Sequence, residues 1–428
     1  MPLTIYQRRE RALRYFLFTC LWLLAGSGFV SGLNAADCSG SPCFQWSSIK
    51  GIDAHWEGWD IHAGGQIVVD AVAYDKNNRK NSGLRWETVN LRVTGNRGDR
   101  FRFFVEPDLL GIDTRTNLYE AWAAWNINPS LLVRAGQVKV ALNSEFATRP
   151  ENCPCLDYGF SSYLDGRYDL GLQADGLLPG KVLWYEATAT TGNGFDLDGR
   201  RRSDPLCALR AVVFPQRFIP SDFLDGAFAG LGLAWSPDYD DSVLVQTPLR
   251  STVFTTRPLH GDYYRSWHFE AGYYKGPFRI GAERVNAEIG NVRIGGGRTI
   301  DVDQLTSWSA YASWNITGER MRWERGRWLP ARGDNKRLKG LERIPGCLEL
   351  AFRYSNADLD RVLFETGMTA YDPSTQEVRT ATLNMNWYPR PGLKVSAGWV
   401  STIADHELYT LGGTNRDSSY VIRAGLVL

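Results

Sequence analysis

The chain has 428 residues, with 48 lysines and arginines against 47 aspartates and glutamates, so its formal charge at pH 7 is only +1. This balance argues against a nucleic-acid-binding protein, which would carry a clear basic excess. Aromatic residues make up 13% of the sequence, which suits the aromatic girdles of a protein that crosses a membrane with β-strands. Beyond the N-terminal segment, no apolar run is long enough for a transmembrane helix.

The N-terminal segment has the layout of a secretory signal peptide. It begins with a basic region that contains Arg8, Arg9, Arg11 and Arg14. A short apolar stretch follows at 15–24, and the tripeptide Asn-Ala-Ala at 34–36 offers a cleavage site. The stretch is short for a membrane-spanning helix, although an uncleaved N-terminal anchor remains the alternative. We therefore expect residues 1–36 to be a signal peptide and residues 37–60 a short periplasmic segment.

The rest of the chain, 61–428, repeats short segments in which polar and apolar residues alternate. A period of two predicts β-strands with one apolar and one polar face. Sixteen such segments are predicted, an even number, as single-chain bacterial barrels require: 62–74, 83–95, 100–109, 116–126, 131–139, 168–176, 181–190, 207–214, 227–236, 264–274, 277–288, 304–315, 346–356, 377–387, 393–403 and 419–427.

The polar faces of these segments carry arginines and glutamates, which favours a membrane barrel over a packed sandwich. In 83–95, for example, Leu91 would face lipid and Arg92 a wet lumen. A charge on the lipid face would cost about 2–4 kcal/mol at mid-bilayer. The alternative is the solvated face of a soluble antiparallel sheet. We predict an all-β protein, a transmembrane antiparallel β-barrel of 16 strands, whose pore-lining arginines are Arg92, Arg100, Arg102, Arg279, Arg353 and Arg423.

Tight turns and long loops broadly alternate along the chain, and long loops are expected on the outer side. The long segment 317–345 holds nine basic residues against four acidic ones. We expect it to be a basic outer loop, in which Arg325, Arg327 and Arg332 either bind anionic lipopolysaccharide or concentrate anions at the pore mouth.

Neither the cysteine spacing nor any catalytic motif in the sequence predicts an active site or a metal site. Loop disulfides are the preferred interpretation, with metal binding at Cys153-Pro154-Cys155 as the alternative and the pairing left open. The candidates for such pairing are Cys38, Cys43, Cys153, Cys155, Cys207 and Cys347. Neither a G-x-S-x-G nor an H-E-x-x-H motif is present, so we expect no enzyme, no metal and no cofactor.

Five segments, in the same order along 62–428, resemble the phosphate-selective porin O and P family. The most specific is 131–149, LLVRAGQVKVALNSEFATR, which is similar to the family's strand-to-loop pattern, close to LRIGQFKEPFSLEELTSSR. The others are RYDLGLQ at 167–173, EATATTGNG at 186–194, LELAFRYS at 348–355 and LNMNWYP at 383–389.

This resemblance implies an outer-membrane porin of a Gram-negative-type bacterium, usually trimeric, that carries small anions such as phosphate or polyphosphate. Its lumen would be narrowed by an inward-folded loop at 140–167. Lys139 and Arg149 match basic positions of the family motif and would set ion choice at the constriction, whereas the family's EPFSLE is VALNSE here. Two alternatives stay open: a sugar or general-solute porin with an aromatic slide, and an envelope-anchoring barrel with little transport.

Overall fold

The computed structural model of the protein describes residues 43–47, 51–75, 81–111, 118–192, 194, 205–329, 345–370 and 372–428. The predicted signal peptide and Arg332 lie outside these residues. In the part of the chain that is described, no helix has the length and apolar character needed to cross a membrane.

The described residues form 24 strands and a few short helices. The strands are β1 (Cys43–Ser47), β2 (Gly51–Trp56), β3 (Trp59–Tyr74), β4 (Gly83–Arg97), β5 (Phe101–Pro107), β6 (Leu118–Asn128), β7 (Leu131–Val140), β8 (Arg167–Leu177), β9 (Leu183–Thr190), β10 (Leu206–Val213), β11 (Ala227–Ser236), β12 (Tyr239–Asp241), β13 (Leu244–Gln246), β14 (Thr252–Thr255), β15 (Leu259–Gly261), β16 (Tyr263–Lys275), β17 (Phe278–Arg293), β18 (Thr299–Asn315), β19 (Arg322–Glu324), β20 (Arg327–Leu329), β21 (Cys347–Asp358), β22 (Glu377–Arg390), β23 (Leu393–Leu408) and β24 (Thr414–Val427). The helices are α1 (Ser144–Ala147), α2 (Phe160–Asp165) and α3 (Arg361–Glu365), with 3₁₀ turns at Pro150–Asn152, Pro179–Lys181, Pro215–Arg217 and Tyr409–Leu411.

Sixteen of the strands close into one antiparallel barrel. They are β3 to β11, β16 to β18 and β21 to β24, each paired with the next, and β24 pairs back onto β3 with Tyr420 opposite Ala73. The predicted 16-stranded barrel is therefore confirmed, and each predicted segment overlaps one strand. The largest differences, five residues at one end, are at β17, β18, β23 and β24. These strands reach Arg293, Thr299, Leu408 and Thr414, because their ladders continue almost to the turns.

The barrel wall separates apolar from polar side chains as the alternation predicts. On β4, Leu91 is 44% exposed on the outer face, whereas Arg92 is 8% exposed and Asn90 is buried inside. Phe278 and Trp314 stack on the outer face with ring centroids 5.6 Å apart. An apolar outer wall with aromatic pairs near its edge is the surface that a lipid bilayer requires.

The two ends of the barrel differ in their connections. One end, which we call the turn end, carries the tight connections such as 98–100, 129–130 and 391–392. The other, the loop end, carries most of the long connections, including 141–166 and 237–262. Connections in an antiparallel barrel alternate strictly between the ends, so every second connection lies at the turn end.

This alternation corrects the predicted position of the basic segment. Residues 316–346 join β18 to β21, and counting along the barrel places this connection at the turn end. Arg325 and Arg327 therefore do not belong to an outer loop. The prediction was wrong because it assigned the side from loop length alone, whereas strand order decides it.

The segment predicted as periplasmic, 37–60, is described at 43–47 and 51–60. There β1 and β2 form a hairpin, and β2 pairs with the start of β3, with Ile52 opposite Ala63. The hairpin continues the barrel sheet at the turn end.

Candidate pore and constriction

The connection 141–166 between β7 and β8 folds into the barrel, as predicted. Asn143 caps its short helix α1, because its side-chain oxygen accepts a hydrogen bond from the Phe146 amide at 2.7 Å. The amide of Ser144 donates to Glu270 on β16 at 2.8 Å, and that of Glu145 donates to Glu283 on β17 at 3.1 Å. The loop is thus fixed to the inner wall through its own backbone.

Three of the predicted pore-lining arginines hold this inward loop. The Arg353 guanidinium binds the Glu145 carboxylate and donates to the Tyr158 carbonyl at 3.0 Å. Arg92 donates to Glu151 of the loop at 2.6 Å and to Glu106 of the wall at 2.7 Å. These side chains lie inside the barrel, where their donors bind the loop and the wall.

The third anchor is Arg423, which pairs with Asp70 at 2.7 and 2.9 Å and donates to the Leu156 carbonyl. Two anchors were missed by the sequence analysis. Arg210 on β10 binds Glu270 at 2.8 Å and the Ser144 hydroxyl at 2.9 Å, and Lys394 on β23 donates to the Cys153 carbonyl at 2.6 Å. Arg210 alternates with apolar neighbours, so the same strand alternation could have predicted that its side chain faces inward.

The other predicted arginines lie away from the loop. Arg279 is buried against Glu349 at 2.8 Å and lies over the Trp328 ring at 4.8 Å. Arg102 is half-buried on β5, opposite Ala124. Arg100 is exposed in the turn between β4 and β5. Only part of the predicted arginine set is therefore gathered around the loop.

A cavity of about 600 Å³ lies between the inward loop and the wall formed by β3 to β8, β23 and β24. Its lining includes Tyr239, just beyond β11 at the loop end, and Val427, close to the turn end. Because residues near both ends line one cavity, it extends along the barrel axis.

Both residues predicted at the constriction line this cavity. Lys139 donates to the Tyr158 hydroxyl at 3.1 Å, and its ammonium lies 4.4 Å from the centre of the Phe146 ring and 5.4 Å from that of Tyr168. The Arg149 guanidinium lies 4.7 Å from the Phe104 ring centre. The sequence analysis missed these aromatic partners.

The acidic residues of the cavity differ in how their charge is compensated. Burial opposes ionisation of Glu151, but Arg92 and Arg149 hold its pKa at about 2. Burial raises the pKa of Asp157 to about 6, although Arg250 partly offsets this effect. Glu151 therefore stays charged at any ordinary pH, whereas Asp157 titrates close to neutrality.

The titration of Asp157 predicts a pH-dependent ion preference. Below about pH 6 the carboxyl becomes neutral and the cavity loses one negative charge, so anion preference should rise as the pH falls from about 7.5 to about 5. The reversal potential of single channels in a salt gradient measures this shift. Asp157→Asn should abolish the step, and the same step in that variant would assign it to another group.

A hairpin from the turn end also enters the barrel. It consists of β19 and β20 and belongs to the basic connection between β18 and β21. The Trp328 amide donates to the Thr148 hydroxyl of the inward loop at 3.0 Å, and the Trp323 ring nitrogen donates to the Ser144 hydroxyl at 3.4 Å. The hairpin and the inward loop thus meet inside the barrel.

The connection 237–262 at the loop end contributes a third inward contact. Arg250 donates to Glu87 on β4 at 3.0 Å, and the buried side chains of Val245 and Phe254 join an apolar cluster with Leu164 of α2. The hairpin enters the barrel from the turn end, and the connections 141–166 and 237–262 enter it from the loop end. Together they leave the cavity on one side of the barrel.

Four of the candidate cysteines are free thiols, so the preferred interpretation of loop disulfides was wrong for them; Cys38 lies outside the described residues. Cys153 and Cys155 are buried free thiols in the inward loop, Cys347 is a buried free thiol on β21, and Cys207 is exposed and free on β10. Backbone and arginine contacts hold the loop in place.

A search of curated proteins finds no significant match, but solved structures of similar fold exist. OmpT of Vibrio cholerae in a trimer form is 11% identical, covering 87% of this chain and 100% of that one, with a TM-score of 0.50. The outer-membrane channel DcaP of Acinetobacter baumannii is 13% identical, covering 87% of this chain and 98% of that one, with a TM-score of 0.50. Pseudomonas putida OprB is 12% identical, covering 87% of this chain and 94% of that one, with a TM-score of 0.52.

Identities this low support the barrel fold alone. The sequence itself matches a family model, described as phosphate-selective porin O and P, over residues 250–424. The family predicted from the motifs is thus confirmed by this match, and residues 250–424 are similar to the phosphate-selective porin O and P family.

Proposed function

We propose that the protein is an outer-membrane porin that passes small anions by diffusion through the cavity beside the inward loop. The observation that carries this proposal is the lengthwise cavity of about 600 Å³ with Lys139 and Arg149 in its lining. The family match makes phosphate one candidate solute. Fold and family suggest a channel rather than an enzyme.

The distribution of ion pairs supports a preference for anions. Glu106 and Glu151 are bound by Arg92, and Glu87 is bound by Arg250, so much of the acidic charge is compensated. Within the described residues, Lys139 and Lys394 instead contact a hydroxyl or carbonyl oxygen and aromatic rings. A fixed charge without a counter-charge attracts mobile ions of the opposite sign.

We also propose that the protein is exported by its signal peptide and works as a homotrimer in the outer membrane, in contact with phospholipid and lipopolysaccharide. The V. cholerae neighbour was solved in a trimer form, and closed cyclic assemblies are common among homo-oligomers. Light scattering of the detergent-solubilised protein, corrected for bound detergent, would test the trimer.

The double variant Lys139→Glu and Arg149→Glu tests the anion preference. Reversing both charges inside the cavity should move the reversal potential toward cation selectivity. Lys181→Glu with Arg217→Glu is the matched control, because it changes the same number of charges on exposed residues of turn-end connections. An unchanged reversal potential in the cavity variant, or an equal shift in the control, would contradict the proposal.

A further inference from the structure

At two places along the cavity, both a cation and the aromatic rings beside it belong to the lining. The first group, the inner cage, consists of Lys139 with Phe146, Tyr158 and Tyr168, whose ring centres lie 4.4, 5.2 and 5.4 Å from the ammonium. Tyr119 extends the cage, with its ring centre 5.5 Å from that of Tyr168. All of these residues line the cavity.

The second group, the outer stack, lies closer to the loop end. The Arg167 guanidinium is 5.2 Å from the Tyr264 ring centre, and Tyr264 stacks on Tyr239 with centroids 5.5 Å apart and planes 25° apart. These residues line the same cavity. A solute that passes through it therefore meets a positive charge beside ring surface at two places.

This arrangement suits a particular chemistry of solute. A carboxylate can pair with the ammonium or the guanidinium, while a flat apolar body attached to it packs against the neighbouring rings. Inorganic phosphate has no apolar surface and binds best to several guanidinium donors at once. Here Arg92 and Arg423 already donate to carboxylates of the protein.

We propose that the inner cage and the outer stack make the cavity selective for organic anions that carry a flat apolar body, with benzoate as the model compound, over inorganic phosphate. This inference rests on the anion passage proposed above and specifies its substrate class. Aromatic packing contributes about 0.5–1.5 kcal/mol beyond area burial, which corresponds to a preference of roughly twofold to tenfold at each group.

The test uses the full mature protein in planar bilayers, with chloride as the current carrier. Benzoate, acetate and phosphate are added separately, and the concentration of each that halves the chloride current is measured. Benzoate should act at the lowest concentration. Acetate carries the same carboxylate without a ring, so the difference between benzoate and acetate reports the ring contact.

The double variant Tyr119→Leu and Tyr168→Leu removes ring surface from the cage and keeps Lys139. Benzoate block should weaken by roughly twofold to tenfold, while acetate block stays unchanged. Tyr354→Leu is the matched control, since Tyr354 packs on Trp308 on the outer wall with centroids 5.3 Å apart. If the cage variant does not fold, the comparison of the three anions on the wild type still decides the matter.

Several results would overturn the inference. One is phosphate block at the same or a lower concentration than benzoate block, and another is a cage variant that responds to benzoate as the wild type does. Equal swelling rates of protein-containing liposomes in glucose and in benzoate would favour a general-solute passage. Absent conductance or cation selectivity in the wild type would refute the proposed function itself, and this inference with it.

Discussion

Replacing Arg353 with methionine is expected to release the inward loop 141–166 from the barrel wall. Arg353 is 2% exposed, binds the Glu145 carboxylate and donates to the carbonyls of Asp157 and Tyr158. Without it, Glu145 is left as a buried charge without its partner. Breaking a buried ion pair on one side costs about 3–5 kcal/mol, enough to make the inward position a minor state.

The release can be followed at the two thiols of the loop. Cys153 and Cys155 are 1% and 2% exposed, and burial raises the pKa of the Cys155 thiol to about 11, so both should resist a water-soluble maleimide. In Arg353→Met both should become modified, as measured by peptide mass mapping. Single-channel conductance should rise, because the loop no longer fills its share of the lumen.

The double variant Arg353→Met and Glu145→Gln provides the control. Removing both charges leaves no buried charge without a partner, so thiol protection should largely return. The strand ladder of the barrel is unchanged in either variant, and circular dichroism should confirm this. Full protection in the single variant would mean that other anchors, such as Arg92 and Lys394, suffice to hold the loop.

The sequence predicted the barrel well because strand alternation is a local property. The pattern around Leu91 and Arg92 needs only neighbouring residues to assign two faces, and the same holds for all sixteen segments. Partners of the inward side chains are not local. Arg353 meets Glu145 across 208 positions of chain, and Lys394 meets Cys153 across 241.

For the candidate site, the sequence therefore predicted which residues face inward but not which residues they contact. Alternation placed Arg92 and Arg423 inside but could not show that they hold the loop. The motif placed Lys139 at the constriction but not its rings, since Phe146 and Tyr158 reach it only after the loop has folded inward. Loop length likewise could not reveal that the connection after β18 begins at the turn end and that its hairpin of β19 and β20 enters the lumen.

The hairpin of β19 and β20 is held inside the barrel mainly by Trp323 and Trp328. Trp328 is 2% exposed and packs near Phe228 and Tyr274, with ring centroids 5.9 and 5.7 Å away. Trp323 stacks on Phe228 with centroids 5.2 Å apart.

Replacing both tryptophans with alanine should expel the hairpin from the lumen. A buried tryptophan truncated to alanine costs about 3–5 kcal/mol, and the hairpin has only three-residue strands of its own. Conductance should increase, since the cavity would no longer be confined to one side at the turn end. Anion preference should change little if Lys139 and Arg149 set it.

Trp314→Ala is the matched control, because Trp314 stacks on Phe278 on the outer wall and its loss should leave conductance unchanged. The inward loop supplies a second measurement. Trp328 donates its amide to Thr148, so expelling the hairpin removes a support of the loop and should partly expose Cys153 to maleimide. Wild-type conductance together with full protection of Cys153 in the double variant would show that the loop and the barrel wall alone define the pore, and that the hairpin fills space that ions do not use.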